Sequence, residues 1–327
     1  KSDSNDSGNE DVGDSVTSSK PKKNTGQSSS LNTASLSRIN RRNELLNELV
    51  YELTTPRTKV SSSDTYLENL PPEVMLAIMK NMDDLSIYAI SKASYRWRRL
   101  INSTVDWQTF LRTRWPLFVL SRNDDNIDIS RIYDHLIQST SCFLCLNETG
   151  IRFENHLAIH PTLWRHRRLQ SEIRALQGEP PEGIEATPLD PSSCYHWQAS
   201  VLGPSGSPYE GGIFYLYLHI PQSYPMIPPR VRFITKIFHP NINMHGDIGL
   251  DSFSHNWSLA LTISKVLISV QSLLTDPYAY ICMNRRAGDL FLNNREQYEQ
   301  IARNWTWKYA MVDFINSDEI DIDHIDY

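Results

Sequence analysis

Four cysteines and ten histidines are the groups in this sequence best suited to hold a metal or to act as nucleophiles. Cys142 and Cys145 form a Cys-x2-Cys pair, and His156 and His160 follow as a His-x3-His pair after a gap of ten residues. Soft thiolates and imidazoles at these spacings suit tetrahedral zinc. The gap is shorter than the roughly twelve residues usual between such pairs in zinc fingers, and no aromatic follows the second cysteine. Phe153, three residues before His156, is the one supporting apolar position. The competing reading is two half-buried cysteines with unrelated histidines and no cofactor at all, so zinc is carried as a candidate. Cys282 is a third chemical possibility, a lone thiol, although lone cysteines more often pack as small hydrophobes. Four cysteines are too few for a disulfide framework in 327 residues, which points to a reducing cytoplasmic or nuclear setting.

Composition narrows the class. A net charge of −6 gives no drive toward nucleic acid or anionic membrane. The most apolar run, Val266–Leu274, is broken by polar residues and too short to span a bilayer. A hydrophobic fraction of 40% fits a chain with an appreciable unfolded part. Residues 1–63, rich in Ser, Asn, Asp and Lys, are that part: they cannot bury enough surface to offset the entropy of ordering. Lys20, Lys22 and Lys23 read as a weak nuclear signal or simply as a solvated tail. Leucines at helical spacing predict an isolated or docking helix over 36–53. At the other end, 313–327 is an acidic, mobile tail.

Two folded stretches must position whatever chemistry there is. From 64 to 116, prolines at Leu70-Pro71-Pro72-Glu73 mark a helix start, and Val74, Ile78 and Met82 make one apolar stripe. Leu85, Tyr88 and Ala89, then Ala93, Trp97, Leu100 and Ile101, predict two more helices, and Trp107, Phe110, Leu111 and Trp115 close the segment. Such a short stretch barely supports a core of its own. Residues 117–162 are read as a connector holding the cysteine and histidine pairs. From 163 to 312 the pattern is α+β: a first helix with Leu169, Ile173 and Leu176, then strands with short turns that predict an antiparallel meander, then two apolar helical stripes. The basic run Arg165-His166-Arg167-Arg168 reads as a solvated helix face. The Gly-rich loop near Gly212 lacks the Lys-Ser/Thr of a phosphate cradle.

Both stretches carry family resemblances. Leu70, Pro71, Glu73, Trp97, Arg98 and Trp107 sit where the F-box pattern puts them. That resemblance implies a helical face docking on Skp1 of a cullin-based ubiquitin ligase, through Leu70, Pro71, Pro72, Glu73, Ile78 and Trp97. His196-Trp197-Gln198-Ala199, Tyr224-Pro225-x-x-Pro228-Pro229, His239-Pro240-Asn241-Ile242, Gly246-x-Ile248-x-Leu250-Asp251 and Trp257-Ser258 resemble the ubiquitin-conjugating enzymes (E2). The fold implied is a four-stranded antiparallel meander with flanking helices, preceded by a small all-α F-box and the disordered N-terminal segment.

The second resemblance also implies a defect. It sets Gly249 where those enzymes carry the cysteine that holds ubiquitin as a thioester. A glycine has no nucleophile to offer. His239, Asn241 and Asp251 belong to the same vestigial site. In the family the amide matching Asn241 stabilises an oxyanion, worth about 3–4 kcal/mol when an acyl carbonyl is present. The family's acidic or serine gate to the incoming lysine falls on Ile281, flanked by Tyr280, and neither can accept a proton. Ligase-docking positions fall on Met226, Leu259 and Ala260, which are equally readable as loop hydrophobes. The function implied is a non-catalytic adaptor in ubiquitin-dependent turnover of target proteins such as apoptosis inhibitors. Its partners are Skp1 and a cullin-based ligase, a protein substrate, and ubiquitin or other ligases. Two rivals stand beside it: an active conjugating enzyme that uses Cys282, and a decoy that sequesters ligase partners.

Overall fold

Prolines start the first helix as the sequence predicts. Pro71 is extended (φ −57°, ψ 147°), and Pro72 opens α1 (Pro72–Met79), where a missing N–H costs nothing. The computed structural model describes residues 70–119, 128–151, 163–249, 257–280 and 282–311, all within one unit, Tyr66–Tyr327. The segment 1–63, the helix expected over 36–53 and the tail 313–327 lie outside the described residues.

Three further helices follow α1: α2 (Asp84–Ala93), α3 (Tyr95–Thr104) and α4 (Trp107–Arg114). Three were expected in all, but Asp106 caps a separate α4 by accepting a hydrogen bond from the Gln108 amide at 3.0 Å. Asp83 does the same for α2, bonding Ser86 N at 2.8 Å. Such caps stabilise a helix by about 1 kcal/mol each. The apolar stripe of α1 is turned by one position from the expected one. Met75 and Met79 are buried, while Val74 is 43% exposed. The stretch read as a connector contains α5 (Ile129–Gln138) and α6 (Phe143–Ile151). Ile132, Tyr133, Leu136 and Ile137 of α5 join the same core as Trp97, Ile101, Trp107 and Trp115.

One largely buried ion pair joins α2, α4 and α5 in this helical layer. Arg114 binds both carboxylate oxygens of Asp84, and the Tyr133 hydroxyl donates to Asp84 Oδ2 at 2.7 Å. Burial alone would raise the Asp84 carboxyl, but Arg114 and Tyr133 outweigh it and hold the group below the usual carboxylate range.

The second half opens with α7 (Leu163–Gly178). The sheet follows as β1 (Ile184–Pro188), β2 (His196–Leu202), β3 (Ile213–His219) and β4 (Arg230–Phe233), antiparallel in the order β1-β2-β3-β4. Helices α8 (Ile263–Thr275), α9 (Arg285–Asn293) and α10 (Arg295–Ala310) complete it. Trp197 pairs with Leu218, Ala199 with Leu216 and Val201 with Phe214, which puts these six on one face with Leu169, Leu267, Val270 and Tyr298. His196, Gln198 and Ser200 of β2 alternate to the other face, and they too are buried.

The helical layer accounts for that second burial. Tyr215 of β3 packs into the helical core, and Gln198 Nε2 donates to the Arg114 carbonyl at 2.8 Å. Thr140 forms an antiparallel bridge with Thr235, flanked by Ser141 N to Ile234 O at 2.6 Å and Lys236 N to Ser139 O at 2.8 Å. Among the described residues no helix is long and apolar enough to cross a membrane.

The basic run on α7 is not a solvated face throughout. Arg165 is 1% exposed and donates to the carbonyls of Ser193, Cys194, Ile220 and Pro221, with its guanidinium over the Tyr195 ring. Its position on the buried stripe with Leu169, Glu172 and Leu176 decides its fate. Because removing one partner of a buried pair strands the other charge, Arg114→Ala is expected to cost about 3–5 kcal/mol in urea unfolding. Lys92→Ala, which breaks the exposed pair with Asp134, is expected to cost less than about 1 kcal/mol.

Candidate functional site

His239-Pro240-Asn241 forms a buried corner beside Gly249. His239 is fully buried, with Nε2 donating to the Leu273 carbonyl of α8 at 3.0 Å and Nδ1 accepting from Asn241 N at 3.0 Å. Both ring nitrogens are thereby used in the neutral form, and burial lowers the imidazole pKa to about 4 against the supporting bond to Leu273. His239 is a structural pin in this corner.

Asn241 is also fully buried. Its Nδ2 donates to the Tyr278 carbonyl at 2.7 Å, and its Oδ1 accepts from Tyr278 N at 2.9 Å. The amide thus grips both polar groups of one backbone residue and fastens the segment after α8. The Asn241 carbonyl in turn accepts from Gly249 N at 2.8 Å.

Gly249 lies under Met283. A Cβ added at 249 would stand 2.6 Å from Met283 Cγ and 3.1 Å from its sulfur. Pro240 holds Met283 there, its carbonyl accepting from Met283 N at 2.8 Å and from Asn284 N at 3.0 Å. A larger residue at 249 therefore requires the methionine to move. Sequence reasoning did not single out Met283, because the contact spans the whole length of α8 and nothing local signals it.

The neighbouring groups are unequal. Tyr280 is 87% exposed and tilted against Tyr278. Cys282 is exposed and its thiol donates to the Asn284 carbonyl at 2.8 Å, in a place where only a glycine at 288 leaves it room. Asp251 and Ile281 lie outside the described residues.

The two loops expected to dock a ligase are bound to each other. Trp257 Nε1 donates to the Pro225 carbonyl at 2.6 Å, and the Tyr224 and Trp257 rings lie 6.2 Å apart. Beyond this contact Met226 is 64% exposed and Leu259 53%, with Ile227 and Ala260 also exposed. Glu172 of α7 fixes the arrangement from below. It accepts from the Tyr224 hydroxyl at 2.7 Å, from Ile263 N at the start of α8 at 2.7 Å, and from Arg168. Arg168 also donates to the Leu261 carbonyl at 2.8 Å. One buried carboxylate therefore joins α7, the proline-rich loop and α8.

In the helical layer, Pro71, Pro72 and Glu73 are exposed, Leu70 and Ile78 partly so. Trp97, expected on the docking face, is 4% exposed and packs inside the core. Val74 and Tyr95, not singled out for docking, are exposed, and Tyr95 lines a groove with Pro72, Met75, Arg96 and Leu100. Of the zinc candidates, His156 and His160 lie outside the described residues. Cys142 and Cys145, at the first turn of α6, come together instead with His245, a residue no local spacing could have suggested.

Two family models match the chain. The one described as ubiquitin-conjugating enzyme covers residues 168–306, and the one described as F-box domain covers residues 67–109. A neutral buried His239 has a direct consequence for acid stability. The unfolded imidazole takes up a proton near pH 6.5 and the folded one only near 4, so stability is full above 6.5 and falls with pH between these values. The loss is about 3 kcal/mol over that window. Denaturant titrations at several pH values check this, and His239→Gln is expected to flatten the slope there.

Proposed function

From a chain that carries an F-box domain and a UBC-like domain, and so belongs to the ubiquitin conjugation pathway, we propose a non-catalytic adaptor. The F-box tethers it to Skp1 and a cullin-based ligase. The UBC-like domain keeps the shape of a conjugating enzyme and offers it as a binding surface for a ligase, for ubiquitin or for a substrate. Targets brought to the complex are ubiquitinated by other enzymes and degraded.

The observation that carries this reading is the contact of Met283 with Gly249. A thioester needs a thiolate that can attack and later leave. Position 249 has none, and the space such a side chain would take is occupied. The Asn241 amide is held by the Tyr278 backbone through both its oxygen and one N–H, which fixes the corner beside Gly249. By contrast the exposed apolar residues Met226, Ile227 and Leu259 stand on loops fastened together below the surface. Methionine is among the residues enriched at protein interfaces. On the helical layer Val74 and Tyr95 are exposed apolar residues, and Tyr95 lines a groove with Pro72.

One observation favours a rival. Cys282 is exposed and directly precedes Met283, so a relocated nucleophile is the enzyme reading to be tested. Incubation with activating enzyme, ATP and ubiquitin is expected to give no reductant-sensitive adduct with the wild-type chain. An adduct that disappears in Cys282→Ser would overturn the non-catalytic reading. Gly249→Cys combined with Met283→Ala is expected to charge more readily than Gly249→Cys alone. Adding the protein to a reconstituted ligase separates adaptor from decoy: an adaptor raises modification of some substrate, whereas a decoy lowers ubiquitin transfer in general. Val74→Glu with Tyr95→Glu, both at exposed positions, is expected to abolish co-purification with Skp1 while the thermal unfolding midpoint is held. Retained binding would refute the tether.

A further inference from the structure

Cys142, Cys145 and His245 bring Sγ, Sγ and a ring nitrogen within 4.8 Å of one another. Two thiolates and an imidazole held by one tetrahedral zinc stand ~3.8 Å apart, from Zn–S near 2.3 Å and Zn–N near 2.0 Å. The groups need to close by no more than about 1 Å to reach that geometry. We propose that these three residues form a zinc site that clamps the helical layer to the UBC-like domain.

The chain builds this site from two directions, and β4 is the common anchor. On one side, residues 139–141 are fastened to residues 234–236 by the Thr140–Thr235 bridge and its flanking bonds, which place Cys142 just before α6. The Leu146 amide bonds back to the Cys142 carbonyl at 3.0 Å, so the first turn of α6 sets Cys142 and Cys145 on one side. On the other side, the turn carrying His245 is pressed onto β4. Gly246 has φ +85°, its carbonyl accepts from Phe233 N at 2.8 Å, and an added Cβ there would meet Phe233 O at 2.0 Å. Asn243 Oδ1 accepts from His245 N at 2.9 Å and from Asp247 N at 2.9 Å, which fixes the turn. Arg232 of β4 pairs with Asp247 at 2.8 Å. That guanidinium is thereby balanced by a carboxylate beside the cluster.

The surroundings suit a metal. Leu146, Phe233, Ile234, Tyr217 and Arg232 line a small cavity at the cluster; Cys142 and Cys145 are half-buried there, while His245 is exposed to solvent as an entry point. Two thiolates and one imidazole carry two negative charges, which a divalent zinc neutralises. Three protein ligands leave a fourth position for water or another donor. The donors are soft, and sulfur with imidazole selects zinc over calcium or magnesium. The role is structural: the metal joins α6 to the turn that leads into Gly249, and binding stabilises the folded chain by mass action.

The test uses the full chain, purified under reducing conditions, stripped of metal and titrated with zinc or cobalt. One equivalent of zinc is expected by elemental analysis, with cobalt giving tetrahedral ligand-field bands and a thiolate charge-transfer band. Zinc is also expected to raise the unfolding midpoint. Cys142→Ser and Cys145→Ser should abolish the thiolate band. His245→Ala, at an exposed position that does not threaten folding, should weaken zinc by more than about 100-fold, since even outer ligand-orienting contacts are worth 10–100-fold. His156→Ala with His160→Ala should keep the metal. Absence of stoichiometric zinc, unchanged affinity in His245→Ala, or a Cys142–Cys145 disulfide under the same reducing conditions would each overturn the proposal. So would loss of zinc in the His156/His160 variant alone.

Discussion

The sheet in this protein is buried on both faces, and the rest of the structure follows from that. An antiparallel sheet can leave one side to water. Here β2 is covered on the Trp197 side by α7 and α8 and on the Gln198 side by the helical layer. The second contact is polar as well as apolar. Gln198 is 1% exposed and needs the Arg114 carbonyl to satisfy its amide. Arg114 in turn needs Asp84 and Tyr133. A break anywhere along this line leaves a buried polar group without a partner, which is costlier than losing a surface contact. The F-box region and the UBC-like region are therefore not beads on a string.

The same reasoning separates the buried polar groups around Gly249 from the exposed ones. His239, Asn241 and Glu172 are polar and buried, and every one of their described bonds goes to backbone or to a neighbouring side chain that holds an element in place. They maintain shape. The exposed groups differ in kind, being methionine, isoleucine and leucine on Met226, Ile227 and Leu259. A surface that presents fixed apolar residues over a polar scaffold is suited to recognition.

Much of this was legible from the residues. The strands with short turns expected between 163 and 312 pair antiparallel as expected, because one fully apolar face determines register. β1 left no clear signal, since an edge strand with the pattern Ile-Glu-Ala-Thr-Pro needs only one buried residue. Arg165 departs from the solvated face its run suggests because burial is decided by the turn of the helix, and Arg165 falls on the stripe of Leu169 and Leu176. Val74 and Ile78 were read as the inward stripe of α1, but both of that helix's methionines could fill the core equally well, and Met75 and Met79 did. Neither the Met283–Gly249 contact nor the meeting of His245 with the cysteine pair leaves any local spacing to read. Each joins segments far apart in the chain, and only the folded sheet brings them together.

Vectorial synthesis gives the doubly covered sheet a temporal meaning. The helix that carries Ile132, Tyr133 and Leu136 leaves the ribosome well before Tyr215 and Ile234, against which its cluster closes. Its apolar side must wait, unsealed, until the third and fourth strands have been made. Contacts between segments so distant in sequence form late and slowly, and surface left open during elongation is a liability for aggregation. A chain of this design spends its early life looking for a partner, and the partner that ends the search is its own C-terminal half.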